Sequence, residues 1–261
     1  MKKKSSIITR TSNSYISRII LNEPESYNSL SINLMDLLIK SLKKLDDDKK
    51  TKVIIIEGSG KGFCAGHNLK EVSSLKLKTN YKKLFNLCSK LMMIIVNSNK
   101  PVIAKVHGAA FAAGCQLVAS CDLALSTNEA IFATPGVNIG LFCSTPMVAV
   151  SRNIKRKHVM KMLLSGEPIN ARTAKEIGLI NDCFDKSKLE LETLRLAEKI
   201  ASKSNKVLEI GKKAFYKQLE MPLEEAYKYT SEVMSKNMML HDAKEGISAF
   251  LEKRVPSWKN K

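Results

Sequence analysis

Short apolar runs bounded by polar or turn-forming residues mark the first two thirds of the chain. Runs of this length predict strands. They lie at Ile7–Thr9, Ile16–Leu21, Val53–Ile56, Pro101–Val106, Cys121–Leu125 and Ala130–Phe132. The polar stretch Thr11–Ser14 predicts a turn between the first two strands.

Longer segments repeat apolar residues every three or four positions, which predicts helices with one buried face. Ser31 is a candidate N-cap for one such segment and Asn80 precedes another. After Asn170 helix follows helix, at Leu189–Ser202, Asn205–Leu219 and Leu223–Leu240. Strands and helices that alternate in this way predict an α/β protein in which crossover helices cover a sheet. Periodicity alone does not separate a spiral of such units from a doubly wound sheet.

The size of the chain suits one large α/β domain, or one domain with a helical appendage. It has 261 residues, of which 44% are hydrophobic. No apolar run approaches the roughly 20 residues of a membrane-spanning helix. The basic segment Met1–Ser6 is followed by neither an apolar region nor an arginine-rich amphipathic pattern. We therefore expect a cytosolic protein or the mature form of an organellar one, mitochondrial in a eukaryote.

Cysteine and histidine spacing gives no sign of a metal site. The six cysteines form no C-x-x-C pair, and the four histidines lack the spacing of paired metal ligands. The cysteines lie among apolar neighbours, so we expect reduced thiols, mostly buried.

Two loops built from small residues follow two of the apolar runs. The first is Lys61–Glu71, after Val53–Ile56, and the second is His107–Gln116, after Pro101–Val106. Two strand-to-loop junctions of this kind can each direct a main-chain N–H at one point. A thioester carbonyl oxygen that becomes negative during a reaction needs such a pair of donors.

These loops resemble the oxyanion-hole segments of the enoyl-CoA hydratase/isomerase (crotonase) superfamily, with Phe63–Gly66 matching one segment and Ala113–Cys115 the other. The likeness covers nearly the whole chain, from Ile19–Pro24 to Phe250–Arg254. The segments Gly66–Glu71 and Thr134–Pro146 look closest to one particular branch of that superfamily.

The resemblance implies a spiral of β-β-α turns followed by an α-helical trimerisation region. We place the spiral core with its acyl-CoA site in residues 1–200 and the helical oligomerisation region in residues 201–261. The implied partner is an acyl-CoA thioester, and coenzyme A is part of this substrate, so no separate cofactor is expected. The implied assembly is a homotrimer or a dimer of trimers.

The resemblance assigns the two oxyanion-hole N–H groups to His67 and Ala113. Gly114 begins a helix, whose partial positive charge favours a nearby oxyanion. The His67 side chain is either a general acid or base or, more often for a loop histidine, a packing group. For coenzyme A, the resemblance implies contacts from Ala65, Gly66, Lys70, Phe250 and Lys253, the last two from a neighbouring subunit in some members. The alternative for each lysine is a solvated surface charge, and Lys70 is better supported than Lys253 because it lies inside the more specific motif.

The chain departs from the family at the residues that hydratases use as acid and base. Family hydratases carry two glutamates, and Gln116 and Gly136 occupy those positions here. A glutamine amide orients a water molecule but does not take its proton at neutral pH, and glycine offers only backbone. General acid–base assistance contributes typically about 10²–10⁴ in rate. Efficient hydration by the two-glutamate route is therefore not expected.

Ser144 is a further candidate, because it lies eight residues after Gly136, where some family isomerases have an acidic catalytic residue. Ser144 or its neighbour Cys143 could bind water or attack the thioester, with Asp122 as a candidate base. A turn or cap role for Asp122 is equally open.

Three functions remain open at this point. The first is an acyl-CoA enzyme with altered chemistry, such as an isomerase or a thioesterase-type hydrolase, and the second is a non-catalytic acyl-CoA-binding protein. The third is association with RNA or anionic lipid through the net charge of +18. Lysines occur throughout the chain and no RNA-recognition motif is visible. The excess of positive charge is therefore explained better by charge spread over solvated faces, or by steering of the anionic coenzyme, than by nucleic-acid binding.

Overall fold

The computed structural model describes residues 5–13 and 15–260. Its larger sheet has six strands in the order β1-β2-β3-β4-β6-β9. These strands are β1 (Ile7–Asn13), β2 (Ile16–Leu21), β3 (Val53–Gly58), β4 (Val102–Val106), β6 (Leu123–Thr127) and β9 (Asp182–Phe184). Only β1 and β2 pair in antiparallel fashion, and the other neighbours are parallel.

A second, smaller sheet has three strands in the order β5-β7-β8. They are β5 (Ala109–Phe111), β7 (Ile131–Ala133) and β8 (Ile169–Asn170). Successive strands alternate between the sheets, because β4 and β6 join the large sheet while β5 and β7 join the small one. Cys64, after β3, repeats this step by bridging to Ala110 of β5. A helix follows each later strand pair, so the chain advances in β-β-α turns.

Helices cover both faces of the large sheet. The helices of the spiral are α1 (Ile32–Asp47), α2 (Leu69–Ser74), α3 (Lys78–Val96), α4 (Ala113–Ser120), α5 (Ser144–Ser151), α6 (Arg156–Ser165) and α7 (Ala171–Glu176). The C-terminal part adds α8 (Lys186–Ala201), α9 (Asn205–Gln218), α10 (Leu223–Met238) and α11 (His241–Leu251).

The β3 strand shows why a continuous apolar run marks the centre of this sheet. Ile54 and Ile56 lie in the main core with α1 and α3, whereas Val53 and Ile55 pack with Ala197 of α8 on the opposite face. Both faces of the strand are covered, so it needs apolar residues at every position. The α/β class and the crossover helices predicted from the sequence are confirmed.

Several predicted boundaries differ from the structure. The predicted turn at 11–14 is wrong for Thr11–Asn13, because β1 continues to Asn13, and Ser14 lies outside the described residues. The strand predicted at Cys121–Leu125 begins two residues later, at Leu123. Cys121 and Asp122 instead form the connection in which Asp122 accepts hydrogen bonds. The division into residues 1–200 and 201–261 stays a prediction.

Candidate active site

Asn28 holds the loop that follows β3. It is fully buried, and its φ of 55° lies in the left-handed region that Asn adopts more readily than most residues. Its Nδ2 donates to the carbonyls of Ser59, Gly62 and Phe63 at 2.9–3.1 Å, and its Oδ1 accepts from the Glu23 N–H. The pattern of the sequence predicts no role for Asn28. An Asn in this segment does indicate a tight turn, because Asn is typical of turn positions with positive φ.

The loops after β3 and β4 are hydrogen-bonded to each other. The Cys64 N–H donates to the Ala109 carbonyl at 3.0 Å, and the Phe111 N–H donates to the Cys64 carbonyl at 2.9 Å. Gly66, with a φ of +95°, lies at the end of the first loop, and a Cβ at this position would be 3.3 Å from the Ala113 nitrogen. The structure therefore brings the residue before His67 next to Ala113.

The main-chain N–H groups of His67 and Ala113 are both unpaired within the described residues. Neither donates a hydrogen bond to any residue in the described ranges. Ala113 is the first residue of α4, where helical N–H groups have no partner within the helix. No side chain of the described residues caps this end of α4 either.

Ala112 shows backbone strain at the start of α4. Its φ of 48° and ψ of −114° lie outside the regions that L-residues favour, and such a conformation costs about 1–3 kcal/mol. Its N–H is fixed by the Ala133 carbonyl at 2.9 Å. Strain of this kind clusters at functional sites, and here it sets the direction in which α4 begins.

The His67 side chain lies against α3. Its ring meets Phe85 edge to face, with centroids 5.5 Å apart. Its ring nitrogens are covered and have no hydrogen-bond partner among the described residues. Burial lowers the pKa of His67, and this effect outweighs that of the Leu30 carbonyl, which raises the pKa. This environment favours a neutral packing group over a general acid.

Gln116 lies in the first turn of α4, three residues after Ala113. It is buried, and its Oε1 accepts a hydrogen bond from the Cys88 thiol of α3, with sulfur and oxygen 3.7 Å apart. Its position three residues along the helix puts its side chain on the same helical face as Ala113.

Gly136 has no space for a side chain. A Cβ at this position would lie 2.4 Å from the Leu141 carbonyl oxygen and 2.9 Å from the Cys143 sulfur. The Gly136 N–H donates to that sulfur at 3.3 Å. Because the segment 136–143 closes tightly on itself, this backbone excludes a glutamate at position 136.

Ser144 and Asp122 do not form a nucleophile–base pair. The exposed Ser144, first residue of α5, directs its hydroxyl to the Phe142 carbonyl at 3.4 Å. Asp122 accepts hydrogen bonds from the Val102 N–H, the Lys212 ammonium and the Tyr216 hydroxyl. Asp122 is therefore a structural anchor for α9, which corrects its interpretation as a candidate base.

The residues predicted to contact coenzyme A fall into two groups. Ala65 and Gly66 lie in the loop beside Ala113, and Lys70 is exposed in the first turn of α2. Phe250 is 81% exposed at the end of α11, and Lys253 follows it at the surface with a φ of 55°.

The described residues add three observations, on metals, thiols and membranes. They contain no group of three or more His, Cys, Asp or Glu side chains placed to hold a metal ion. All six cysteines are free, five of them buried and Cys183 half-buried. Among the helices in the described part of the chain, none combines the length and apolarity needed to cross a membrane.

Comparison with known proteins gives matches over almost the whole chain. Residues 11–261 match the family model described as enoyl-CoA hydratase/isomerase. The human protein named enoyl-CoA hydratase domain-containing protein 3, mitochondrial, is 47% identical over 243 residues, covering 93% of this chain and 80% of the relative. The Xenopus laevis protein of the same name is 46% identical, covering 93% of this chain and 83% of the relative.

Solved structures share the fold. The crystal structure of human enoyl-CoA hydratase domain-containing protein 3 matches with a TM-score of 0.94 and 45% identity, over 97% of this chain and 100% of that one. An enoyl-CoA hydratase from Mycobacterium smegmatis matches with a TM-score of 0.96 and 42% identity, over 98% and 99%. The predicted crotonase-like spiral is confirmed, and so is the branch indicated by Gly66–Glu71 and Thr134–Pro146.

Proposed function

The chain belongs to the enoyl-CoA hydratase/isomerase family, and we propose that it binds a fatty acyl-CoA thioester and acts on it through the main-chain N–H groups of His67 and Ala113. The observation that carries the proposal is that both donors are free and lie in loops hydrogen-bonded to each other. Two donors prearranged in this way stabilise negative charge on a thioester oxygen as it develops. The partial positive charge at the start of α4 acts in the same direction.

The proposed chemistry differs from two-glutamate hydration. Neither Gln116 nor Gly136 supplies a carboxylate, and the backbone at 136 has no room for one. A two-amide site without this acid–base pair still stabilises an enolate or a tetrahedral oxyanion. The reactions that we propose are therefore those whose oxyanion this donor pair stabilises, an isomerisation or a thioesterase-type hydrolysis. Ser144 has no base of the described residues bonded to its hydroxyl, which weakens its candidacy as a nucleophile.

Binding of a thioether analogue tests the donor pair without any mutation. Butyryl-CoA carries the thioester oxygen, whereas S-butyl-CoA has the same chain and no oxygen at that carbon. Two hydrogen bonds of ordinary net strength predict that S-butyl-CoA binds about 5- to 100-fold more weakly in calorimetry. Equal affinities would show that the two amides do not bind the carbonyl, and no binding of either compound would refute the acyl-CoA proposal.

A turnover assay tests the altered chemistry. We expect crotonyl-CoA hydration at least about 10²-fold below the rate of an authentic two-glutamate hydratase assayed in parallel, because general acid–base assistance is missing. Isomerisation of a 3-enoyl-CoA and hydrolysis of acyl-CoA are measured on the same preparation. Hydration at ordinary enzymatic rates would contradict the argument from Gln116 and Gly136. Tight binding without turnover of any substrate would instead support the non-catalytic acyl-CoA-binding alternative.

We also propose that the C-terminal helices mediate assembly into a homotrimer or a dimer of trimers. Large apolar side chains are exposed along α9–α11, among them Phe215, Leu223, Tyr227, Met239, Phe250 and Leu251. Exposed apolar surface on this scale is typical of interaction sites. Phe250 and Lys253 would then reach coenzyme A bound to a neighbouring subunit. Light scattering on the purified chain measures the mass, and a monomer at micromolar concentration would contradict this assembly.

We propose a mitochondrial location on the basis of the relatives. The relatives of this branch are named as mitochondrial proteins, which supports the mitochondrial alternative over the cytosolic one. Fractionation of cells that produce the chain tests this point, and recovery in the cytosol would contradict it.

A further inference from the structure

The chain turns back along α11 after that helix ends, and we call residues 254–260 the C-terminal clasp. Arg254 donates from Nη1 and Nη2 to the two carboxylate oxygens of Glu245, at 2.6 and 3.0 Å. The same carboxylate accepts from the Ser257 main-chain N–H at 2.7 Å. Hydrogen bonds from Arg254 lower the pKa of Glu245 to about 2, so the pair is charged at neutral pH. Glu245 therefore binds the clasp at two points.

The far end of the clasp is bound at the first turn of α11. The Asp242 carboxylate is buried and accepts from the main-chain N–H groups of Lys259 and Asn260, each at 2.8 Å. It also accepts from the Ser204 hydroxyl, at the N terminus of α9, at 2.5 Å. Because a buried charge needs such donors, these bonds hold the clasp against both helices.

Trp258 attaches the clasp to α8 as well. Its indole N–H donates at 2.8 Å to the carbonyl of Ser202, the C-cap residue of α8. Its ring lies on Gly246 of α11, where a Cβ would be 3.3 Å from the ring. The clasp is therefore bound to α8, α9 and α11.

The clasp begins at the turn that ends α11. In this turn Lys253 has a φ of 55°, a left-handed conformation that few non-glycine residues adopt. Its N–H donates to the Phe250 carbonyl at 3.2 Å, and the Arg254 N–H donates to the Ala249 carbonyl at 2.9 Å. The end of a chain is usually poorly ordered unless it is tied down. Here the ion pair of Arg254 with Glu245 holds the turn that contains Lys253.

Lys253 is exposed at this turn, and its ammonium group suits one of the phosphates of coenzyme A. We propose that Arg254 is a positioning residue. Through its ion pair with Glu245 it holds the main chain at Lys253 in the conformation in which that lysine meets a coenzyme A phosphate. The clasp preorganises the contact, because the chain does not have to be ordered when the ligand binds. This inference rests on the proposed acyl-CoA function and on the coenzyme contact proposed for Lys253.

Two thioesters separate the phosphates from the rest of the ligand. Butyryl-CoA carries the phosphates, whereas butyryl-pantetheine has the same thioester without them. We expect Arg254→Gln to weaken butyryl-CoA binding about 5- to 30-fold in calorimetry, because the main chain at Lys253 must then be ordered on binding. Butyryl-pantetheine affinity should change less than about twofold, because its thioester site is distant from the clasp. A merely structural role for Arg254 would weaken both ligands together.

Arg195→Gln is the matched control. Arg195 lies on α8 with its side chain 79% exposed, and it also pairs with a glutamate, Glu192, at 3.9 Å. The substitution removes the same positive charge, so it measures any general loss of attraction for the anionic ligand. Butyryl-CoA affinity should stay within about twofold of the wild type, because exposed pairs of this kind contribute little.

A double-mutant cycle shows whether Arg254 acts through Lys253. Lys253→Ala alone should weaken butyryl-CoA binding at least as much as Arg254→Gln, because it removes the contact outright. When both substitutions are combined, Arg254→Gln should cause less than about twofold further loss. An Arg254 that bound the phosphates itself would cause its full loss in the Lys253→Ala background too, and this result would overturn the inference.

Hydrogen exchange of the wild-type protein tests the clasp without any variant. The main-chain N–H groups of Ser257, Lys259 and Asn260 should exchange at least about 10-fold more slowly than in a free peptide of the same sequence. Equal rates would show that the clasp does not hold. Unchanged butyryl-CoA affinity in Arg254→Gln would refute the positioning role. Wild-type binding of the two thioesters reports separately on the proposed function, so these results refute only this inference.

Discussion

Gly114 of α4 lies directly against the carbonyl group of Cys64, so closely that a Cβ on Gly114 would be 2.0 Å from that oxygen. The same carbonyl accepts a hydrogen bond from the Phe111 N–H. The contact joins the start of α4 to the loop after β3, and these two segments carry the free N–H groups of Ala113 and His67. The geometry of the donor pair therefore depends on the absence of a side chain at position 114.

We predict that Gly114→Ala separates these two segments. The added methyl group meets backbone, which cannot rotate away, so the free energy of unfolding should fall by about 3 kcal/mol. The selectivity for butyryl-CoA over S-butyl-CoA should be lost as well. Urea denaturation and calorimetry measure the two effects.

Gly211→Ala is the matched control. Gly211 lies in α9 with nothing within 4 Å of a Cβ at that position. Alanine there should raise stability by about 0.5–1 kcal/mol, because it lowers the entropy cost of ordering the helix. If both variants were equally stable, the contact between Gly114 and Cys64 would not constrain the fold.

We predict that Asn28→Ala weakens the loop that carries His67. It leaves carbonyl groups of Gly62 and Phe63 without their donor in a buried site, so the free energy of unfolding should fall by about 2–4 kcal/mol. Its left-handed φ is also less favourable for alanine. The exposed Asn86 of α3 is the control, and Asn86→Ala should change stability by less than about 0.5 kcal/mol. Equal effects of the two substitutions in thermal unfolding would contradict the anchoring role of Asn28.

The sequence predicted the long elements well because their signals are local. Ser31 does cap α1, with its Oγ accepting from the Leu34 N–H at 3.1 Å, and the three predicted C-terminal helices are present. The sequence did not predict the short strands β5, β8 and β9. They have only two or three residues, and their pairing partners lie far away in sequence, so no periodicity marks them. The helices α2, α5, α6, α7 and α11 were not predicted either, although Asp242 and Ala249 on α11 are buried.

The candidate site was predictable only as far as the glycine loops. The sequence motifs identified two loops, one with Gly66 and His67 and one that leads to Ala113 and Gly114. The structure brings these two loops together. The Cys88 contact to Gln116 was not foreseeable, because 28 residues separate the two and only the packing of α3 on α4 joins them. The lack of space for a side chain at Gly136 was not predictable from the sequence either. It depends on how the chain turns back and brings the Leu141 carbonyl close to position 136.

We predict that Lys212 attaches α9 to the core through a buried ion pair. Its ammonium group donates to Asp122 at 2.7 Å and to the carbonyls of Ile95 and Lys100 at 3.0 Å, which uses all three of its hydrogens. Lys212→Ala leaves Asp122 without its cation, so the free energy of unfolding should fall by about 3–5 kcal/mol. Urea denaturation measures this change.

The adjacent Lys213 gives a close control for Lys212. Its side chain is 50% exposed, against 7% for Lys212, and it pairs with Glu209 one helical turn away. Exposed pairs of this kind contribute about 0.3–0.5 kcal/mol, so Lys213→Ala should have little effect. If Lys212→Ala were as mild as Lys213→Ala, α9 would be attached to the core by apolar packing and not by the ion pair.

The stability of the protein should fall as the pH decreases from 7 to 5, because the pKa values of two partly buried histidines are lowered in the folded protein. Burial lowers the pKa of His67, and it also lowers the pKa of His107 despite the nearby Gly60 carbonyl. The unfolded chain therefore binds protons that the folded chain does not, and its histidines titrate near pH 6.5. The contribution of these two histidines to stability is fully present above that pH and is lost as the pH falls below it.

Replacement of the two histidines separates this effect from the titration of carboxylates. Partial burial of Glu190 would raise its pKa, but Arg18 and Lys105 outweigh this effect and lower the pKa to about 2. The contribution of Glu190 to stability is therefore lost only at more acidic pH, below about 4.5. We expect His67→Gln and His107→Gln each to reduce the fall in unfolding free energy between pH 7 and 5. His158→Gln, at an exposed position of α6, is the control and should leave the fall unchanged. Urea denaturation at several pH values measures the slope, and an unaltered slope in His67→Gln would show that this imidazole accepts a proton in the folded state after all.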